Sequence, residues 1–248
     1  MPSSQAERAA HNKLQRRYYE TRKAEQNHRI AVEGTPYITN HLDQMIARAK
    51  LRQDEAILDI GCGMGKYTIP LAERGYDVAG LELSPRLVEE LQSQAQGRAE
   101  IETHVGDILD PDPGLLARFD RIVGFFVLHH LIDIPAAYKS AARMLRPGGG
   151  IAILEPNPLC PLYYLQITFT PSMSWAAEKG ILSLKPGQTR RALAEAGFED
   201  IALHRFGILP PFLRNRASGA MVEAAFERVP PLRPIAAFQL ITGRLPPA

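Results

Sequence analysis

Cysteine is scarce in this chain of 248 residues: only Cys62 and Cys160 occur. Two cysteines that far apart make neither a disulfide framework nor a zinc spacing, so a reducing cytoplasm is the expected setting. Long hydrophobic runs are lacking as well. No stretch reaches the ~18 apolar residues that a membrane span requires. The start, Met1 to Lys13, is polar and has no apolar signal-peptide core. Charge of one sign is not in excess, with a net of +2. No internal repeat is visible. What remains is a globular composition, 45% hydrophobic and 23% charged, in a length that suits one α/β domain with additions.

The small net charge hides an uneven distribution. Residues 1–53 carry +5, residues 54–184 carry −7, and residues 185–248 carry +4. Basic ends can face an anionic substrate or a membrane surface, so peripheral membrane contact is kept open.

Residues 4–31 read as a long charged helix whose apolar stripe is thin. Gly34-Thr35-Pro36 breaks it, with Thr35 as N-cap and Pro36 as first helical residue of a second helix over 36–50. That helix carries Ile38, Leu42, Met45, Ile46 and Ala49 on one face. Strands are expected at about 55–60, 77–82, 101–105, 119–127, 150–154, 199–206 and 235–242. Helices alternate with most of them, the clearest at 85–95, 134–145 and 187–196. Pro70 should kink or delay the helix that follows the first strand. The alternation implies right-handed βαβ units and a parallel sheet. Residues 156–186 interrupt the rhythm with five prolines among Tyr163, Tyr164, Phe169 and Trp175. Such a segment beyond a strand's C-terminal end suits an apolar substrate cap.

The stretch Ile57-Leu58-Asp59-Ile60-Gly61-Cys62-Gly63-Met64-Gly65-Lys66 organises the rest. Ile57, Leu58 and Ile60 form the short apolar run of a strand covered on both faces. Glycines at alternate positions then permit unusual φ and let a ligand approach the backbone. Open α/β sheets bind nucleotides at such a turn. The dinucleotide spacing G-x-G-x-x-G would need a third glycine where Lys66 stands, which disfavours a nicotinamide oxidoreductase.

The spacing Asp59-x-Gly61-x-Gly63-x-Gly65 resembles motif I of the class I S-adenosylmethionine (SAM) methyltransferases. Further residues agree in order. Glu82 ends the second strand, where this superfamily places an acid for the ribose hydroxyls. Asp107 ends the third, at the position that recognises the adenine amino group. Leu83 and Ile108 resemble the plates on the adenine faces, and Leu145-Arg146-Pro147-Gly148-Gly149 resembles the turn before the fifth strand. The resemblance covers residues 55–155 well. It implies a Rossmann-like fold: a seven-stranded, mostly parallel sheet with helices on both faces. An N-terminal helical lid over residues 1–53 and a cap at about 156–186 would be added to a SAM-binding domain at 54–248. SAM is the implied cofactor and S-adenosylhomocysteine the product. The implied cofactor contacts are Asp59, Gly61, Gly63, Gly65, Glu82, Leu83, Asp107, Ile108 and Phe125.

The acceptor is less legible. Nucleic-acid aminomethylases carry Asp/Asn-Pro-Pro-aromatic after the fourth strand. Here that place holds Gly124-Phe125-Phe126-Val127, so no nucleic acid is expected. His129 and His130 follow the fourth strand and Glu155 leaves the fifth, all near the edge where the methyl group should point. His129 or Glu155 is the candidate base. His130 and Asn157 are candidates for the acceptor wall, and Tyr18 and Tyr19 for a lid closing over SAM. No metal-ligand set is evident, and no metal is expected. The resulting reading is methyl transfer to oxygen or carbon of a small, largely apolar acceptor. Its rivals are a membrane-associated lipid or quinone-type acceptor, supported by Ile208 to Leu213, and a SAM-binding regulatory partner without turnover. The oligomeric state stays open.

Overall fold

A computed structural model describes residues 4–17, 20, 34–170 and 175–248. Seven strands form one sheet: β1 (Ala56–Ile60), β2 (Asp77–Glu82), β3 (Thr103–Val105), β4 (Phe119–Phe125), β5 (Leu145–Pro156), β6 (Glu199–Phe206) and β7 (Phe238–Arg244). Their order is β3-β2-β1-β4-β5-β7-β6. The first five run parallel, while β7 is antiparallel to both β5 and β6. The chain winds outward from β1 through β2 and β3, then returns to start β4 on the other side of β1. That reversal leaves a crevice beyond the C-terminal ends of β1 and β4.

The pleat explains the apolar runs. Ile57 packs with Leu42 and Met45 on one face of the sheet, while its neighbour Leu58 packs with Tyr138 and Ala141 on the other. Successive side chains point to opposite faces, and both faces are covered, so almost every position in β1 must be apolar. Asp59 is the exception, and it is almost fully buried.

Helices begin where the sequence supplies a cap. In order they are α1 (Gln5–Arg17), α2 (Pro36–Ala49), α3 (Thr68–Glu73), α4 (Pro85–Ala95) and α5 (Ile134–Met144). Thr35, Ser84 and Asp133 accept from the backbone N–H groups of Ile38, Leu87 and Ala136, with proline next in line after Thr35 and Ser84 and second after Asp133. Pro70 goes with a delayed start of α3, as expected, and does not end the helix. The helix starts only at Thr68, so Pro70 falls in the first turn, where its missing N–H has no intrahelical partner to lose. The fifth strand is longer than expected. Leu145 already pairs with Phe119, and the register shifts before Arg121 meets Gly150.

The expected helix over 4–31 is described only as α1; residues 18, 19 and 21–33, with Tyr18 and Tyr19, lie outside the described residues. Beyond β5 come α6 (Pro161–Phe169), α7 (Trp175–Glu178) and α8 (Pro186–Glu195). Two further helices, α9 (Pro211–Arg214) and α10 (Gly219–Glu227), fill the connection from β6 to β7. No helix among the described residues is long and apolar enough to cross a membrane.

Candidate active site

Each strand that ends at the crevice delivers a carboxylate or a glycine. After β1 the chain turns through Gly61, Gly63 and Gly65, at φ of 70°, 55° and 90°. A side chain on Gly61 would collide with Val127 Cγ2, and one on Gly65 would meet Ile69. At Gly63 the space is open for 4 Å. Gly61 and Gly65 therefore serve close packing, and Gly63 leaves backbone exposed to a ligand. Asp59, just before the turn, accepts from Thr68 Oγ1 (2.7 Å), while its Oδ1 is buried with no hydrogen-bond partner. Burial pushes its pKa up to about 7; the Thr68 bond works against this and nearby Glu82 adds to it. A buried carboxylate oxygen left over in this way calls for a donor or a cation from the cavity.

Glu82, at the end of β2, lies beneath the same turn. Its Oε2 accepts from Gly63 N and its Oε1 from Ser84 N, both at 3.0 Å. Burial raises its pKa, and these two N–H groups oppose the shift. Asp107 follows β3. Its Oδ1 accepts from Leu109 N (2.8 Å) and its Oδ2 from the side-chain amide of Asn12 (2.7 Å). Thus α1 crosses the cavity and touches the residue whose counterpart in the resembled family binds adenine. The same helix donates from His11 Nε2 to the His130 carbonyl oxygen (2.8 Å), and Ser84 Oγ donates to Glu20 (2.7 Å).

An aromatic nest supports the centre. Tyr67 stacks on Phe125, with ring centroids 4.2 Å apart and planes within 4°. His41 of α2 holds the Tyr67 hydroxyl through Nδ1 (2.9 Å). Burial, then Lys66 and Arg214, push the His41 pKa down to about 3, so this imidazole is neutral. Phe126 has φ of 58°, a left-handed conformation rare for a bulky residue, at the exit of β4.

The other end of the cavity is built around His129, in the short turn after β4. Glu155, at the end of β5 and fully buried, accepts from Val127 N (2.9 Å), Leu128 N (2.6 Å) and His129 Nδ1 (2.5 Å). His129 Nε2 faces Glu178 Oε2 of α7 at 3.3 Å, and Tyr163 of α6 donates to that same oxygen (2.7 Å). Burial alone would lower the His129 pKa, but the Glu155 and Glu178 carboxylates outweigh it and push it up to about 9. The His130 ring lies 3.9 Å from that of His129. One ligand atom each from His129, His130 and Glu178 come within 4.8 Å of one another, which makes this trio able to hold a metal ion.

A single cavity of about 960 Å³ runs from one end to the other. Of the residues singled out in the sequence, Asp59, Gly61, Gly63, Glu82, Leu83, Asp107, Ile108, Phe125, His129 and His130 line it. Gly65, Glu155 and Asn157 are not on its wall. Glu155 reaches the site only through His129. The Asn157 amide is spent on the carbonyls of Pro234 and Ala236, tying the exit of β5 to the segment before β7. The sequence reading missed His11, Asn12, Tyr37, Tyr67 and Glu178, which line the cavity from elsewhere in the chain. Tyr163, flagged only by its aromatic surroundings, lines it too.

Comparison with known proteins agrees with this geometry. The profile of the methyltransferase domain family matches residues 36–203. A ubiquinone biosynthesis O-methyltransferase of Idiomarina loihiensis is 29% identical over 189 residues, covering 71% of this chain and 72% of that protein. A demethylmenaquinone methyltransferase of Tropheryma whipplei is 31% identical over 121 residues, 46% of this chain and 49% of its own length, so the match spans about half of it. A solved SAM-dependent methyltransferase of Thermotoga maritima shares the fold, with a TM-score of 0.65 and 18% identity over 92% of this chain and 98% of that one. The chain belongs to the class I SAM-dependent methyltransferase superfamily.

Proposed function

We propose that this enzyme transfers the methyl group of SAM to an oxygen or carbon of a small or medium-sized, largely apolar acceptor. The observation that carries the reading is the continuous cavity. Its volume of about 960 Å³ lies at the top of the range of ligand sites, which run to roughly 1,000 Å³, and leaves room for acceptor beside cofactor. Beyond His129 its walls are apolar, from Leu162, Leu165 and Phe169 of α6 to Leu209 and Phe212 around α9. The names of the two curated relatives, both quinone-pathway methyltransferases, support the same acceptor class.

The residues present suit SAM. Asp59, with its orphaned oxygen, would take the ammonium of the methionine part, and Gly63 would let it approach the backbone. Glu82 would hold the ribose hydroxyls, Asp107 the adenine amino group, and Leu83 and Ile108 the adenine faces. Bound SAM supplies a methyl group made electrophilic by its sulfonium. The chain must then orient the acceptor in line with that methyl, which is worth about 7–11 kcal/mol. His129 and Glu178, on the wall, act on the acceptor's proton; Glu155, behind it, fixes the His129 ring. Helix α1, with its contacts to Asp107 and His130, is the lid that excludes water. With both cysteines free and buried, we assign the enzyme to the cytoplasm.

A second reading keeps the chemistry and changes the setting: the acceptor is a lipid or quinone-type molecule presented at a membrane. The apolar mouth favours it, since Phe169 is 78% and Phe212 68% exposed while both line the cavity. Incubation with methyl-tritiated SAM and a fractionated metabolite extract tests both readings. Label in organic-soluble metabolites supports apolar acceptors, and a gain on adding anionic vesicles selects the membrane setting. Label confined to nucleic acid or to water-soluble amines overturns them.

A further inference from the structure

The cluster at the acceptor end has a geometry that suits more than proton handling. Glu155 and Glu178 are both almost fully buried, and between them stands the imidazole of His129. Burying two carboxylates around one ring draws positive charge to the point where they meet. The ring is held in one orientation: Nδ1 lies 2.5 Å from Glu155 Oε2, so Nε2 is turned toward Glu178 Oε2 and the cavity. A histidine whose other nitrogen donates to a carboxylate is the usual arrangement behind a metal ligand. Glu155 is itself fixed by the N–H groups of Val127 and Leu128, and Glu178 by the Tyr163 hydroxyl. Two imidazoles and a carboxylate therefore converge, two of the three oriented by outer partners.

We propose that His129, His130 and Glu178 form a binding site for a first-row divalent cation of the zinc class, with Glu155 and Tyr163 as its outer partners. Two histidines and a glutamate are a ligand set that such ions accept, and three protein ligands leave a position open. All three line the cavity, so the open position faces the acceptor. Resting on the apolar-acceptor reading above, the ion would hold an acceptor oxygen in line with the methyl group and, by polarising it, take over from His129 and Glu178 the task of easing its proton away. The ligands come from two segments 48 residues apart, so no spacing in the sequence announces them.

The test is direct metal binding by the full-length, tag-free chain. Protein equilibrated with Zn²⁺ and then dialysed should retain about one ion per chain by mass spectrometry of the metal. Co²⁺ titration should bring up visible absorption bands that Zn²⁺ abolishes. Glu178→Gln, which preserves shape, and His130→Ala should each abolish retention, and Glu155→Gln should weaken Co²⁺ binding by roughly 10–100-fold. SAM affinity, measured by calorimetry in each variant, should stay unchanged, which reports on the folded state and on the cofactor site separately. Wild-type protein that retains no ion, or a Glu178→Gln variant that binds as wild type, overturns the cation site while leaving the methyl-transfer reading intact. Failure of label transfer with normal metal binding would do the reverse.

Discussion

The two ends of the cavity are made in different ways. The end proposed for the cofactor is assembled from consecutive strand tips, so each residue sits within a turn of the strand that positions it: Asp59 on β1, Glu82 on β2, Asp107 just after β3. Backbone N–H groups satisfy three of its six carboxylate oxygens. The acceptor end draws on α1, the β4 exit, α6, α7 and the loop around α9, and side chains hold it together. A site made by the sheet is fixed by the fold, whereas one made by connecting segments can change its specificity without changing the fold.

If the division is real, the two ends should fail separately. The largest effect belongs to the acceptor end. His129→Asn should lower turnover by roughly 10²–10⁴-fold, with SAM affinity unchanged by calorimetry. A parallel loss of SAM affinity would show that the ends are coupled. Next comes Glu82→Ala, which should weaken SAM binding by about 1.5–3 kcal/mol, the range for hydrogen bonds to a charged group. Unchanged affinity in a folded variant would remove Glu82 from the cofactor site.

A third effect is visible in pH. The Asp59 pKa is pushed up to about 7, against an ordinary carboxylate value of 3.8. Between those values the empty fold keeps a proton that the unfolded chain has released, so this group lowers stability as pH rises through the window. An ammonium from SAM needs the carboxylate form. Affinity should therefore rise with pH below about 7, by up to ~10-fold per unit, and level off above it. Asp59→Asn should flatten that profile, and a slope that survives the substitution would place the titrating group elsewhere.

The smallest effect tests the boundary between the ends. The Asn12 amide occupies Oδ2 of Asp107, the carboxylate proposed for adenine, whose Oδ1 is already held by Leu109 N. Asn12→Ala should tighten SAM binding by about 1 kcal/mol, one hydrogen bond's worth. A loss of affinity instead would show that α1 and the adenine share the carboxylate.

Much of the geometry at the end proposed for the cofactor was legible in the sequence because its determinants are local. A covered strand must be apolar, and a glycine turn must follow where a ligand meets the backbone. The helix expected at 85–95 likewise begins where Ser84 caps it and Pro85 opens it. Where the reading went astray, long-range pairing had intervened. The start of β5 at Leu145 depends on its register with Phe119, which no local pattern records. Asn157 is expected on the acceptor wall, yet its amide serves the distant carbonyls of Pro234 and Ala236.

The sequence by itself determined the α/β architecture, the glycine turn and the carboxylates beneath it, since hydrophobic period, caps and left-handed glycines act over a few residues. Only the tertiary structure decided that Glu155 stands behind His129 and that Glu178 faces it. It alone laid Asn12 over Asp107. Those meetings join positions 26 to 95 residues apart, set by how helices and loops pack on the sheet, and such packing leaves no periodic trace along the chain.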